Sequence, residues 1–180
     1  MADRPPPKSG SVEPQPPYLI EPLGKHDRAA FTCGSASLDQ YFRNQVTQDI
    51  RRHVARCMVV IEVANGNVAG FYSLSATSLA LCDLPDTMTK KLPRYPVVPA
   101  VLMGRLAVSV EAQGHQLGRA LIAHAVEYIA TGNIGAFAIA VDAKDVRAQK
   151  FYEKLGFVEI TSQPRRLLLP IGTALALLKP

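Results

Sequence analysis

The chain predicts a mixed α/β (α+β) fold: a twisted sheet of six to seven strands with helices on both faces. Three observations lead there. The apolar run Cys57 to Val63 is followed by the hairpin signal Asn65-Gly66 and by Val68 to Ser75, so the first strands pair antiparallel. From Val101 onward the order becomes strand, helix, strand, helix, strand, which calls for a parallel crossover. Between the first of these strands and its helix lies a polar, glycine-bearing turn, Gln113-Gly-His-Gln-Leu-Gly118.

Composition bounds the answer before the elements do. The 180 residues suffice for one domain with a sizeable core. A 48% apolar and 19% charged balance is that of a soluble globular chain. The net charge of +5 favours anionic partners without choosing among them. Cys33, Cys57 and Cys82 are odd in number and lack zinc-like spacing, so reduced thiols are expected and no metal. No secretory leader is visible, and Leu167 to Leu178 is interrupted by Pro170 and Gly172 and is too short to span a bilayer. A cytoplasmic protein with no membrane partner is the expectation.

The elements follow in order. Residues 1–17 hold six prolines and read as a disordered or polyproline-like tail, leaving 18–180 as a single domain. Tyr18 to Ile20 is a first strand. Ser37-Leu-Asp-Gln40 fits a capping box, and Leu38, Tyr41, Phe42, Val46 and Ile50 continue at helical spacing to about Arg51–His53. Cys57 to Val63 and Val68 to Ser75 form the hairpin. Four prolines make Ala80 to Ala100 irregular, with room for a short helix over Asp86 to Lys91. Val101 to Val108 is the next strand. Leu117 to Ala130 is a helix burying Leu117, Leu121, Ala125, Tyr128 and Ile129. Ala136 to Val141 is a buried strand. Asp145 caps a helix that runs to about Leu155, and Gly156 stops it. Short strands at Val158 to Thr161 and Arg166 to Leu169 precede a helical tail.

The turn before Leu117 carries the first chemical signal. A helix start offers unpaired N–H groups and the positive end of its dipole, and a glycine turn can aim further amides at the same point. Together they suit a pyrophosphate, although a glycine turn of this kind equally serves only to reverse the chain. The stretch Gly104 to Ile122 resembles the acetyl-CoA-binding segment of the GNAT N-acetyltransferases, patterned Gln/Arg-x-x-Gly-x-Gly/Ala. Gln113 takes the first position and Gly118 the last; Gln116 stands where the middle glycine is usual. Ala148-Gln-Lys-Phe-Tyr-Glu-Lys-Leu-Gly-Phe157 resembles the family's later helix. More narrowly, Phe31-Thr-Cys-Gly34 with Leu38 to Phe42, the helix end Gln48 to Arg56, Gly70 to Ser75, Leu92-Pro-Arg-Tyr-Pro96 and Leu167 to Pro170 resemble the GNAT toxins of bacterial toxin–antitoxin pairs. The likeness spans about residues 18–170.

The resemblance implies the GNAT fold and acetyl-CoA as donor. It places the donor on Leu106, Ala107, Val108, Gln113, Gly114, His115, Gln116, Leu117, Gly118, Arg119 and Ala120, with Asp142 and Phe151 beside it. Phe151 is also expected on the core face of its helix, with Tyr152 turned toward a cleft. Tyr152 is the general acid that the resemblance implies; a phenol near pKa 10 is protonated at neutral pH, although transfer to a thiol near 8.5 is somewhat uphill. No base stands out; Glu62 is a weak candidate on its strand. That gap fits aminoacyl-tRNA as acceptor, since an α-amine near pKa 7.7–8.0, lowered further by its ester, needs little help. Arg51, Arg52 and Arg56, then Lys90, Lys91 and Arg94, can supply a phosphate track, with Arg165 and Arg166 a third basic cluster. The implied function is a toxin that blocks translation, restrained by a ribbon-helix-helix antitoxin, with homodimerisation left open. Two rivals remain: an ordinary GNAT enzyme acting on a small amine or a protein N-terminus, and a non-catalytic GNAT-like binding module.

Overall fold

The computed structural model describes residues 17–90, 92–160 and 162–178. The tail expected over 1–17 therefore falls almost wholly outside the described residues, as does Lys91. The fold is a seven-stranded mixed sheet in the order β1-β2-β3-β4-β5-β7-β6. Its strands are β1 (Tyr18–Pro22), β2 (Arg56–Glu62), β3 (Val68–Ala80), β4 (Val97–Val108), β5 (Ala138–Asp142), β6 (Val158–Glu159) and β7 (Arg166–Pro170). Among the described residues only β4 and β5 pair in parallel, joined by the crossover helix α4 (Leu117–Ala130).

Helices cover both faces, as expected. On one face, α4 and the C-terminal α6 (Ile171–Leu178) pack over a core that includes Tyr72, Leu121, Ile139 and Leu167. On the other, α1 (Ala36–Gln40), a π-helical turn (Tyr41–Gln45) and α2 (Val46–Arg51) seat Phe31, Phe42 and Phe71 together. The Phe42 and Phe71 rings stack with centroids 4.1 Å apart. A third cluster joins Leu79, Leu84, Val98, Ala100 and Leu168 beside the short helix α3 (Asp86–Thr89). None of the helices is long and apolar enough to cross a membrane among the described residues.

Several expectations are corrected. The helix after residue 35 is three short pieces, and Ser35, not Ser37, stands at its start without a side-chain cap. The stabilising contact comes instead from Asp39. Its buried carboxylate accepts hydrogen bonds from the Cys33 N–H at 2.8 Å and the Thr32 hydroxyl at 2.9 Å. Ala80 to Ala100 is not irregular throughout. β3 and β4 pair as far as Ala80↔Val97, with Ser78 opposite Pro99. Pro99 is tolerated because its carbonyl accepts from the Phe137 N–H just before the parallel ladder begins, on the side where no donor of its own is needed. Tyr128, expected inside, is 40% exposed.

Two features position the site. The register of β3 against β4 slips between Ser73 and Leu74, so Gly104 is left opposite no partner. Such a bulge bends its strand and increases its twist. The parallel ladder of β4 with β5 stops at Met103↔Val141, while β4 runs on to Val108. The second feature is Gly70, opposite Val108. A Cβ there would lie 2.9 Å from the Ala107 carbonyl oxygen. Gly70→Ala should therefore push β3 from β4, costing about 1–3 kcal/mol. Thermal unfolding should show the midpoint falling by several degrees; an unchanged midpoint would show that the strands move apart freely.

Candidate active site

Where β4 leaves β5, a cavity of about 540 Å³ opens. Its walls are α1 and the π-turn (Ser37, Leu38, Gln40, Tyr41, Gln45), β4 from Leu102 to Leu106, the end of β5 at Asp142, Lys144, and Ala148 and Tyr152 of α5 (Val146–Glu153). The sequence builds α5 as expected: the Asp145 side chain accepts from the Ala148 N–H, and Gly156 sits at φ +91 beyond the helix end.

Tyr152 is 8% exposed, with Phe157 and Phe151 rings each 5.3 Å from its own. Its hydroxyl bonds to no protein group among the described residues and belongs to the cavity lining. Burial pushes the phenol pKa up to about 12, so it is fully protonated at neutral pH. The expected division of the aromatic pair is reversed in depth. Tyr152 is the buried member, and Phe151 is half-buried against the start of α4, 3.4 Å from where a Gly118 Cβ would lie.

The turn before α4 has the donors that a pyrophosphate needs. The N–H groups of Gly114, His115, Gln116, Leu117 and Gly118 donate to no protein acceptor among the described residues. Gly114 has φ +85, and Gln116 takes the left-handed conformation at φ 58, which explains why a glycine would suit that position. The amides of Arg119 and Ala120 already bond to the Gln116 carbonyl, so these two contribute nothing through the backbone. The Arg119 side chain is exposed. Gln113 turns its side chain away to donate to the carbonyls of Cys33 and Val108, both at 3.1 Å, and braces the loop.

The open edge of β4 narrows the strand donors. The Ser109 N–H bonds to the Ala69 carbonyl, so the alternation of an antiparallel ladder turns Ala107 toward β3. Leu106 is left with both polar groups on the open side, and Val108 with its N–H, since its carbonyl accepts from Gln113. The expected pairing through the Ala107 amide is thus corrected to its two neighbours.

Charge in the cavity is one-sided. Its single lining carboxylate, Asp142, is held by Arg166 in two parallel bonds of 2.7 and 2.8 Å. This pair ties β5 to β7 and occupies the carboxylate that was expected beside the donor. Arg165 donates to the Lys144 carbonyl, so Arg165 and Arg166 are structural rather than a free basic cluster. Glu62 lies at the far end of β2, accepts from Asn65 in the hairpin turn, and cannot serve as base. Arg51, Arg52, Arg56, Lys90 and Arg94 are exposed and form no ion pair among the described residues. Arg56 lies opposite Leu74, which lies opposite cavity-lining Met103, about 10 Å away across two strand spacings. Two residues escaped sequence reasoning. Arg105 lies over the Tyr41 ring, 4.8 Å from its centroid, and Lys144 reaches the same cavity. Arg105 follows the bulge glycine directly, and that adjacency was the available signal.

Residues 54–159 match the family described as acetyltransferase (GNAT) domain. The chain belongs to the GNAT acetyltransferases. It is 34% identical over 154 residues to a tRNA-acetylating toxin of Mycobacterium tuberculosis (strain ATCC 25618 / H37Rv), covering 84% of this chain and 90% of that protein. It is 29% identical over 171 residues to a Sinorhizobium fredii (strain NBRC 101917 / NGR234) protein named Probable toxin TacT, covering 89% and 94%. Solved structures of AtaT are also similar. AtaT complexed with acetyl-methionyl-tRNAfMet is 26% identical with TM-score 0.82, covering 90% of this chain and 99% of that one. AtaTR bound with AcCoA is 26% identical with TM-score 0.77, covering 90% and 98%.

The GNAT donor has a direct test in the turn. Gly118→Asp adds a carboxylate at the first turn of α4, which the helix dipole tolerates or favours. It also sets a negative charge beside the pyrophosphate amides. Calorimetry should show acetyl-CoA affinity falling by about tenfold or more, with the melting midpoint of the free protein unchanged or raised. Equal affinity would remove the pyrophosphate from this turn.

Proposed function

We propose that this GNAT enzyme is a cytoplasmic toxin that moves the acetyl group of acetyl-CoA onto the α-amine of aminoacyl-tRNA and so blocks translation. One observation carries the reading. The cavity around a buried, protonated Tyr152 holds no free carboxylate or histidine among its described lining, because Arg166 holds Asp142. An acceptor used here must arrive largely neutral. A lysine side chain near pKa 10.4 does not, whereas an α-amine near 7.7–8.0 with an adjacent ester does. Arg105 and Lys144 in the cavity lining, with exposed Arg56 about 10 Å away across two strand spacings, suit a polyanionic carrier of that amine. The likeness to tRNA-acetylating toxins supports the same acceptor.

The donor supplies a thioester whose C–S bond breaks as the acceptor nitrogen forms its bond to the acetyl carbon. The amides of Gly114 to Gly118 hold the pyrophosphate, and the open edge of β4 at Leu106 and Val108 aligns the rest like an added strand. Tyr152 donates its hydrogen to the departing sulfur, and the nitrogen's surplus proton restores the phenol, so the products are an amide and a thiol. With the phenol at about 12 and a thiol near 8.5, complete transfer before bond cleavage would be uphill by roughly 5 kcal/mol. Tyr152 therefore acts as charge develops on sulfur rather than ahead of it. A ribbon-helix-helix antitoxin is the partner that would restrain the enzyme; the likeness to proteins named toxins supports the toxin reading on which this partner rests.

Tyr152→Phe should keep the fold and acetyl-CoA affinity and lose about 10²- to 10⁴-fold in transfer rate. Wild-type turnover in that variant would assign protonation of sulfur to another group. In the wild type, the rate should rise as the acceptor amine loses its proton. Because burial holds the phenol near 12, no falling limb from Tyr152 should appear below about pH 10. A falling limb near neutrality that vanishes in Tyr152→Phe would contradict this.

The acceptor is tested by incubating the protein with labelled acetyl-CoA and charged tRNA. Label should appear on the aminoacyl group. Replacing Arg52, Arg56 and Arg94 together by alanine should raise KM for charged tRNA and flatten its salt dependence, since each lost phosphate contact removes about one released counterion. Label appearing on a small amine or protein instead would establish an ordinary GNAT acceptor, and no label at all a binding module.

A further inference from the structure

A second cavity, open and of about 670 Å³, lies at the N-terminal end of β4. Leu81, Leu84 and Pro96 give it an apolar floor and wall, and Arg94 and Tyr95 stand at its side. Tyr95 is the unusual feature. It is 66% exposed, a large aromatic surface left in water. Its backbone is fixed between Pro93 and Pro96, and its N–H bonds to the Pro93 carbonyl at 2.8 Å, so the ring is presented on a stiff tether. Nothing in catalysis or in core packing uses it.

The pocket and the acetyl-transfer cavity share one face of β4. Val98, Ala100 and Leu102 join the cluster that contains Leu81 and Leu84, and Leu102 also lines the transfer cavity. The stretch of β4 from Val97 to Leu102 spans ~17 Å at ~3.3 Å per residue. That is about five stacked nucleotides at ~3.4 Å each. Arg94 lines the pocket with Asp86 and Thr89, and exposed Lys90 follows Thr89 in the chain; neither Lys90 nor Arg94 forms an ion pair among the described residues, and Arg105 stands at the transfer cavity. An aromatic platform beside an arginine, with cations at each end of the span and buried Val98 and Ala100 beneath its middle, matches the way proteins hold single-stranded RNA: the bases stack and the phosphates are neutralised.

We propose that this pocket takes an unpaired nucleobase of the acceptor terminus, stacked on Tyr95 and flanked by Arg94, while the aminoacyl end lies beside Tyr152. The proposal rests on the charged-tRNA reading above and adds the subsite that sets the reach of the strand.

Three measurements on the full chain test it. Tyr95→Ala should raise KM for charged tRNA about 5- to 100-fold, the range of losing one base stack. Its kcat and its KM for acetyl-CoA should stay at wild-type values, and Tyr95→Phe should behave as wild type. Aminoacyl-adenosine, too short to bridge from one cavity to the other, should be acetylated equally by wild type and Tyr95→Ala. An RNA minihelix carrying 2-aminopurine at its unpaired 3′ positions should be quenched by wild type and not by Tyr95→Ala. An unchanged KM for charged tRNA, retained quenching, or an equal loss on aminoacyl-adenosine overturns the subsite. So does a Tyr95→Ala variant that keeps full activity on tRNA but no longer binds an inhibitory antitoxin peptide, which would make the pocket a peptide groove. Quenching that depends on Tyr95 in a protein that acetylates only some other amine upholds the RNA subsite and rejects the acceptor reading.

Discussion

The site depends on β4 parting from β5 beyond Met103. A bulge is what allows it. Gly104 has no partner on β3, and the strand that resumes at Arg105 is bent away from β5. β5 meanwhile ends at Asp142 and turns into the loop that starts α5. The result is a stretch of strand in the middle of a sheet that has one neighbour instead of two. Unpaired backbone groups inside a protein must find water or a ligand. Here they line a cavity of about 540 Å³, so the defect in the ladder and the binding edge are the same feature.

The same parting sets the electrostatics. Once the two strands separate, Asp142 sits at the lip of the opening as the one lining carboxylate. Arg166 on the neighbouring β7 holds it with two short parallel bonds, the geometry that makes an arginine–carboxylate pair stronger than a point contact. Those hydrogen bonds raise the guanidinium pKa further, so Arg166 keeps its charge at every working pH. The cavity is left with Arg105 and Lys144 as its cations and, in the reading proposed above, Tyr152 as its proton donor. A site arranged this way stabilises negative charge and cannot remove a proton from a strongly basic amine. Its chemistry is selective for acceptors that come deprotonated.

Elements with punctuation at both ends were legible from sequence. α4 spans Leu117–Ala130 as expected, because a glycine turn precedes it and its apolar residues recur with helical period. α5 is bounded by the Asp145 cap and the left-handed Gly156. The long β3–β4 ladder was hidden because prolines mark loops in sequence. Pro99 escapes that rule only because its nitrogen faces a side where β5 has not yet begun, a fact of tertiary pairing. Asp39, an unremarked position within the Ser37-to-Gln40 pattern, is buried because the Thr32–Cys33 turn folds back onto it. The chemistry-bearing residues Gly118 and Tyr152 were reached through the resemblance. Lys144 and Tyr95 were not, because each acquires meaning from the cavity it borders rather than from its neighbours in the chain, and Arg105 had only its place after Gly104 as a signal.

Gln116 shows how the turn tolerates a departure from the family pattern. A non-glycine residue in the left-handed region costs roughly 1–2 kcal/mol. The side chain is exposed, so it meets no wall that would forbid it. What the turn requires is the direction of the amides, and any residue but proline supplies one. The Gln116 carbonyl is also used twice, by the amides of Arg119 and Ala120, which fixes the first turn of α4 directly behind the unpaired donors. Gln113 fixes the loop from the other side, through the carbonyls of Val108 and Cys33. The turn is therefore braced at both ends by groups that do not themselves face the anion. Its strain is held by those braces, and the five amides of Gly114 to Gly118 are left without a protein acceptor among the described residues.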